Sequence, residues 1–119
     1  MNKSYLLLLI ACVFQFQVLH SQSFEKQLKE IGFDSVRQFT ITNTAYEAAY
    51  ELFYDQKLDH QNKQSVEFKQ RVILRHKGFD KPTVLVTEGY VASYAMRPGY
   101  IEELSEILDA NLVVVEHRF

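Results

Sequence analysis

The sequence has one cysteine, two prolines and four glycines in 119 residues, and each shortage excludes something. A lone cysteine makes neither an internal disulfide nor a multi-cysteine metal site. So few glycines and prolines exclude a collagen-like fibre or a low-complexity linker. There is no basic excess: 13 Lys+Arg stand against 15 Asp+Glu, a formal net charge of −2. The electrostatic footprint of a nucleic-acid binder is therefore missing. No apolar run is long enough to cross a bilayer, since the longest, Leu6 to Phe14, has nine residues against the roughly 20 required. What remains is a chain 47% hydrophobic and 24% charged, rich enough in apolar residues to form one ordinary globular domain.

Residues 1–23 read as a secretory signal peptide. Lys3 supplies the positive n-region, Leu6–Phe14 the apolar core, and Ser21 and Ser23 the small residues two apart before a cleavage placed after Ser23. Leu9-Ile10-Ala11-Cys12 also fits a lipoprotein acylation box, but ranks second because the apolar segment Val13–Leu19 would then stay in the mature chain. Cleavage after Ser23 leaves 96 residues, 12 cations against 15 acids (net −3), and no thiol. A thiol-free chain is coherent with export to an oxidising compartment, whether periplasm, cell surface or medium.

The mature segment, 24–119, reads as continuous α/β structure without repeats. Phe24, Leu28 and Ile31 predict a short amphipathic helix over 24–31, stopped by Gly32. Residues 33–45 suit a loop or irregular strand. Alternation over Ala48–Leu58 and again over Phe68–His76, with Val72 and Leu74 opposite Arg71, Ile73 and Arg75, predicts an antiparallel hairpin around a polar loop. Thr83–Thr87 and Leu112–Val115 are β-branched runs of the type buried on both faces. Between them Ile101, Leu104 and Leu108 form an apolar helical stripe, with Glu102, Glu103, Ser105 and Glu106 facing water and Asn111 closing the helix. Strand, helix, strand is a βαβ unit. Its last strand would lie exposed at an edge without further strands and helices, so the chain is expected to be an amino-terminal portion of a larger protein.

Ligands of open α/β sheets bind beyond the carboxyl ends of the strands. Two segments lie there, Thr87-Glu88-Gly89-Tyr90 and Glu116-His117-Arg118-Phe119. The first sets a glycine and backbone N–H groups just after a strand, where α/β-hydrolases place one oxyanion donor. Spacing alone favours a plainer reading, a glycine-containing turn through which the chain leaves the sheet. In the second segment, alternation puts Glu116 and Arg118 on one side and His117 on the other. This reads either as a scaffold or cation-holding carboxylate, or as a solvated strand end. His60 and His76 lack a third ligand at zinc spacing. There is no Gly-x-Ser-x-Gly elbow, because Ser93 lacks both glycines, and no phosphate-binding glycine loop. No nucleophile, metal site or cofactor site is identified.

In order and spacing, the residues from about Tyr50 onward resemble the opening hairpin of two related groups of secreted α/β-hydrolase serine peptidases. These are the tripeptidyl aminopeptidases and, more distantly, the prolyl carboxypeptidase and dipeptidyl peptidase group. The likeness rests on Tyr50-Glu51-Leu52, Gln56-Lys57-Leu58-Asp59-His60, Phe68-Lys69-Gln70-Arg71-Val72, Pro82-Thr83-Val84, Thr87-Glu88-Gly89-Tyr90 and Glu116-His117-Arg118-Phe119. The resemblance implies the amino-terminal part of an α/β-hydrolase sheet. It also implies an exported serine exopeptidase that removes short peptides, typically tripeptides, from a free amino terminus and needs no cofactor. The family's Ser-Asp-His triad would lie downstream of these residues. Gly89 and Tyr90 carry over as candidate oxyanion-loop donors, and Glu88 and Glu116 as candidate substrate-amine or scaffold carboxylates. The alternative is a non-catalytic exported binding module, or a decayed gene product, with the same partial fold.

Overall fold

The computed structural model describes residues 24–117. The leader reading, its cleavage point and Cys12 lie outside the described residues, as do Arg118 and Phe119. The described residues up to Gly32 belong to one compact unit and those from Phe33 to another. In the first, helix α1 spans residues 24–30, one residue short of expectation. Gly32 follows it at φ 111°, a left-handed conformation that glycine reaches without a Cβ penalty. Of the expected stripe only Leu28 is buried, while Ile31 is exposed.

The second unit is a five-stranded mixed sheet. Its strands are β1 (Ser35–Gln38), β2 (Ala48–Lys57), β3 (Glu67–His76), β4 (Thr83–Thr87) and β5 (Asn111–Val115), in the order β1-β2-β3-β5-β4. The alternating segments pair as the expected antiparallel hairpin, in unbroken register from Ala48↔His76 to Lys57↔Glu67. Its polar loop is organised by side chains that mimic backbone turns. The Gln61 amide donates to Asp59 Oδ1 and the Gln64 amide to Asn62 Oδ1, both at 2.9 Å. The segment expected to be irregular contains a short strand, β1, that pairs antiparallel with β2.

β4 and β5 are parallel neighbours, as a βαβ unit requires. Their places are not those expected. β5 lies inside the sheet, antiparallel to β3 on its other side, so Leu112–Val115 is not an exposed edge. The outer strand is β4, and it is buried on one face only: Val84 is buried but Leu85 is 62% exposed.

The core lies on the face carrying Ile73, Val84, Leu112 and Val114, capped by Tyr46, Ala92, Ala95 and Ala110. A 3-10 turn (Ser93–Met96) and the five-residue helix α2 (Glu103–Ile107) cross this face. The orientation of α2 is opposite to the expected one. Ser105 is buried, whereas Ile101, Leu104, Ile107 and Leu108 are exposed, Ile107 by 71%. The cause is a specific polar contact: Ser105 Oγ lies 2.7 Å from the Tyr46 hydroxyl and 2.8 Å from the Glu102 carbonyl, to which it donates. Nor does Asn111 end the helix. Asp109 adopts φ 50°, and the Ala110 amide returns to the Ser105 carbonyl at 2.8 Å. Asn111 instead opens β5 and latches the preceding turn: its Oδ1 accepts from the Lys77 amide at 2.7 Å, and its Nδ2 donates to the Gly78 carbonyl at 2.9 Å.

Candidate functional site

The carboxyl ends of β4 and β5 lie side by side because the two strands are parallel and in register to Thr87↔Val115. The Glu88 amide extends this ladder by donating to the Val115 carbonyl at 2.9 Å. The backbone then leaves the sheet. No hydrogen bond from the Gly89 or Tyr90 amide forms among the described residues. Gly89 has open space around it, with no atom within 4 Å of an added Cβ, and Tyr90 is 87% exposed. The loop regains support at Ala92, whose amide donates to Glu116 Oε1 at 3.0 Å.

Glu116 is the end of a chain of alternating charges. Arg71 Nη1 donates to its Oε1 at 3.3 Å, while Arg71 Nε stands 3.2 Å from Glu51 Oε1 in an ion pair that lacks hydrogen-bond alignment. Arg37 pairs with the other oxygen of Glu51. Only 7% of the Glu51 side chain is exposed, so both its oxygens are neutralised by arginines where water is scarce. The backbone of Glu116 is fixed too. Its amide donates to the Arg71 carbonyl at 3.1 Å, and its carbonyl accepts from Gln70 Nε2 at 2.8 Å.

Glu88 lies on the other side of the loop, where its carboxylate accepts a hydrogen bond from the Tyr94 hydroxyl. Burial, and then that carboxylate, push the Tyr94 phenol up to about 12. Tyr94 packs edge-on to Tyr100 at 5.1 Å between centroids, and Tyr100 donates to Glu102 Oε2 at 2.7 Å. Burial and Glu102 also raise the Tyr100 phenol, so both hydroxyls stay protonated donors.

The 3-10 turn carrying Tyr94 is clasped from beneath by Arg75, which is fully buried. Its Nε donates to the Ala95 carbonyl at 3.0 Å and its Nη2 to the Arg97 carbonyl. The rings of Phe39, Tyr46 and Tyr100 surround the guanidinium at 5.6 to 5.8 Å. Desolvation lowers its pKa, and carbonyl dipoles and aromatic faces supply the compensation that a carboxylate usually gives.

The structure thus brings the four sequence candidates, Glu88, Gly89, Tyr90 and Glu116, to one end of the sheet. It adds Arg71, Glu51, Arg37, Tyr94 and Arg75, which sequence reasoning did not single out. One signal was available for two of them: Arg71 and Arg75 flank Ile73 on a single strand face, and two arginines beside a core isoleucine need partners there. Among the described residues no group of His, Cys, Asp and Glu is arranged to hold a metal ion. His60, in the hairpin loop, and His76, paired with Ala48, lie at opposite ends of the hairpin. Ser93 is exposed at the start of the 3-10 turn, away from any strand-to-helix elbow. His117 is exposed just beyond β5.

Residues 27–119 match the family described as PS-10 peptidase S37. Over 66 residues, 56% of this chain, the sequence is 42% identical to the prolyl tri/tetrapeptidyl aminopeptidase of Streptomyces mobaraensis. The chain covers 13% of that protein's length. No solved structure matches. With the family match extending through the hairpin, the βαβ unit and the loop that leaves the carboxyl end of β4, the chain belongs to the peptidase S37 family.

Proposed function

We propose that this segment forms the oxyanion side of an exported serine exopeptidase that releases short peptides, typically tripeptides, from free amino termini. One observation carries the reading. In a chain of this peptidase family, the loop after a parallel strand offers two backbone amides, Gly89 and Tyr90, that donate to nothing among the described residues. When a serine attacks a peptide carbonyl, the oxygen gains negative charge, and fixed N–H donors aimed at it lower the barrier by about 3–4 kcal/mol each. The serine, its activating histidine and the orienting acid would come from sequence outside these residues, so this part of the sheet supplies electrostatic stabilisation rather than the nucleophile. On this reading the sheet is the first part of an α/β-hydrolase, and the open outer edge of β4 receives the next parallel strand.

Glu88 supplies the exopeptidase character. It sits next to the oxyanion loop, and one of its oxygens is already oriented by Tyr94. A carboxylate there attracts the substrate's terminal ammonium and fixes the distance from that terminus to the scissile bond. The deciding experiment is to sequence the transcript through the Phe119 codon and assay the complete polypeptide on tripeptidyl chromogenic substrates. An open frame running into a Gly-x-Ser-x-Gly elbow with later Asp and His, together with tripeptide release, is the expected result. A stop codon at that point, or a complete protein without peptidase activity, would sink the proposal and favour a non-catalytic binding module.

A further inference from the structure

We infer that Glu116 and Arg71 are positioning residues for the oxyanion loop, acting through the Ala92 amide. The inference rests on the function proposed above for that loop, and the geometry extends it to residues outside the loop. Residues 89–91 form a three-residue bridge. Its upstream end is fixed where the Glu88 amide donates to the Val115 carbonyl at 2.9 Å, and its downstream end where the Ala92 amide donates to Glu116 Oε1 at 3.0 Å. Among the described residues the Gly89 and Tyr90 amides have no partner, so the direction of their N–H groups is set by these two end points.

The downstream anchor is a side chain and holds only as well as that side chain is held. Arg71 Nη1 fixes the same oxygen of Glu116 at 3.3 Å, Glu51 holds Arg71, and Arg37 holds Glu51. Beyond the anchor, Arg75 secures the 3-10 turn by donating to the Ala95 and Arg97 carbonyls. Glu116 Oε1 therefore already accepts two donors, which fits an anchor better than a binder of substrate ammonium. Because a displacement of about 1 Å in a reacting group's support lowers rate by about 100-fold, loss of the anchor should appear in kcat.

The test uses the complete polypeptide carrying this segment, with Glu116→Ala, Glu116→Gln and Arg71→Gln. Two quantities are read: hydrogen exchange of the peptide spanning residues 89–92 in the resting protein, and kcat and KM on a tripeptidyl substrate. Glu116→Ala should accelerate exchange of the Ala92 amide, the hydrogen-bonded one of the 89–92 peptide, by at least about tenfold and lower kcat by about 100-fold, with KM within about threefold of wild type. Glu116→Gln keeps an acceptor for the Ala92 amide and should recover much of both losses. Arg71→Gln leaves the anchor in place but loosens it, and should fall between wild type and Glu116→Ala. It also serves as the readout should Glu116→Ala fail to fold. A rise in KM at unchanged kcat would overturn the inference by making Glu116 a substrate ligand. Equal effects of Ala and Gln, or unchanged exchange at 89–92, would also overturn it. If the wild-type protein has no peptidase activity, the proposed function fails by itself, and the exchange comparison still decides whether Glu116 anchors the loop.

Discussion

Residues 24–119 produced alone should self-associate through the outer edge of β4, and Leu85→Lys should weaken that association. Among the described residues β4 pairs only with β5, which leaves its other side with unpaired backbone groups. Leu85 on the outer face of β4, and on the other side of the sheet the outward stripe of Ile101, Leu104, Ile107 and Leu108, are each about 50% to 70% exposed. Full burial of such a side chain contributes about 1.5–3 kcal/mol, so these five leave roughly 4–8 kcal/mol unrealised. A domain of this size has a net stability of roughly 5–14 kcal/mol. The uncovered surface is thus of the same order as the whole stability of the fold, and a second chain pairing edge to edge would recover part of it. Lysine at Leu85 puts a charge on the exposed face of the edge strand, next to any strand that would pair with it, and it changes the isolated fold by only about 0.5 kcal/mol because the leucine is mostly exposed. Sedimentation velocity and light scattering over a dilution series check this. The wild-type segment should be polydisperse at micromolar concentration, and Leu85→Lys should shift mass toward monomer. A monodisperse wild-type monomer that melts cooperatively would refute the reasoning.

Three further outcomes follow from particular contacts. Ser105→Leu should destabilise the complete protein by about 1–3 kcal/mol in chemical denaturation, since it overpacks the helix–sheet contact and removes the partner of the Tyr46 hydroxyl; Leu104→Ser, on the outward face, should cost well under that, and the reverse ranking would show that α2 buries its apolar stripe. Tyr94 has a phenol raised to about 12 from an ordinary value near 10, so the folded state favours its protonated form. Its contribution to stability is present below pH of about 10 and is lost as pH rises toward about 12; Tyr94→Phe should flatten that alkaline limb in a pH series of melting temperatures, and an unchanged limb would rule Tyr94 out as its source. Gly89→Ala meets no atom within 4 Å and needs no left-handed backbone, so stability should hold or rise by roughly 0.4–1 kcal/mol. On the proposed function the added methyl crowds the approaching carbonyl, so kcat should fall at least about tenfold, and undiminished kcat would remove Gly89 from the site.

What the sequence made legible was local. The hairpin could be read because alternation runs through both strands, and the β-branched runs announced β4 and β5. The candidate loop could be found because chemistry gathers at the carboxyl ends of such strands. What it hid depends on partners far away in the chain. Helical spacing reveals that Ile101, Leu104 and Leu108 share a stripe, but not what the stripe faces. Ser105 turns inward because of Tyr46, 59 residues earlier. Strand order is equally non-local: nothing within Leu112–Val115 tells that it inserts between β3 and β4.

The charge chain links these two levels. Arg37, Glu51, Arg71 and Glu116 come from four separate stretches of sequence, and they meet because the pairings Arg37↔Glu51, Phe53↔Arg71 and Val72↔Val115 keep all four on one face of the sheet. Side chains alternate between faces with a period of two, so a slip of β3 by one residue against β2 would send Arg71 to the opposite face and cut Glu116 off from Glu51. The register is in turn fixed by the Asp59 and Asn62 turns in the hairpin loop and by the buried face on which Ile73 must lie. Polar residues in the hairpin loop therefore help determine where the Ala92 amide is held, and, on the inference above, the direction of the Gly89 and Tyr90 amides.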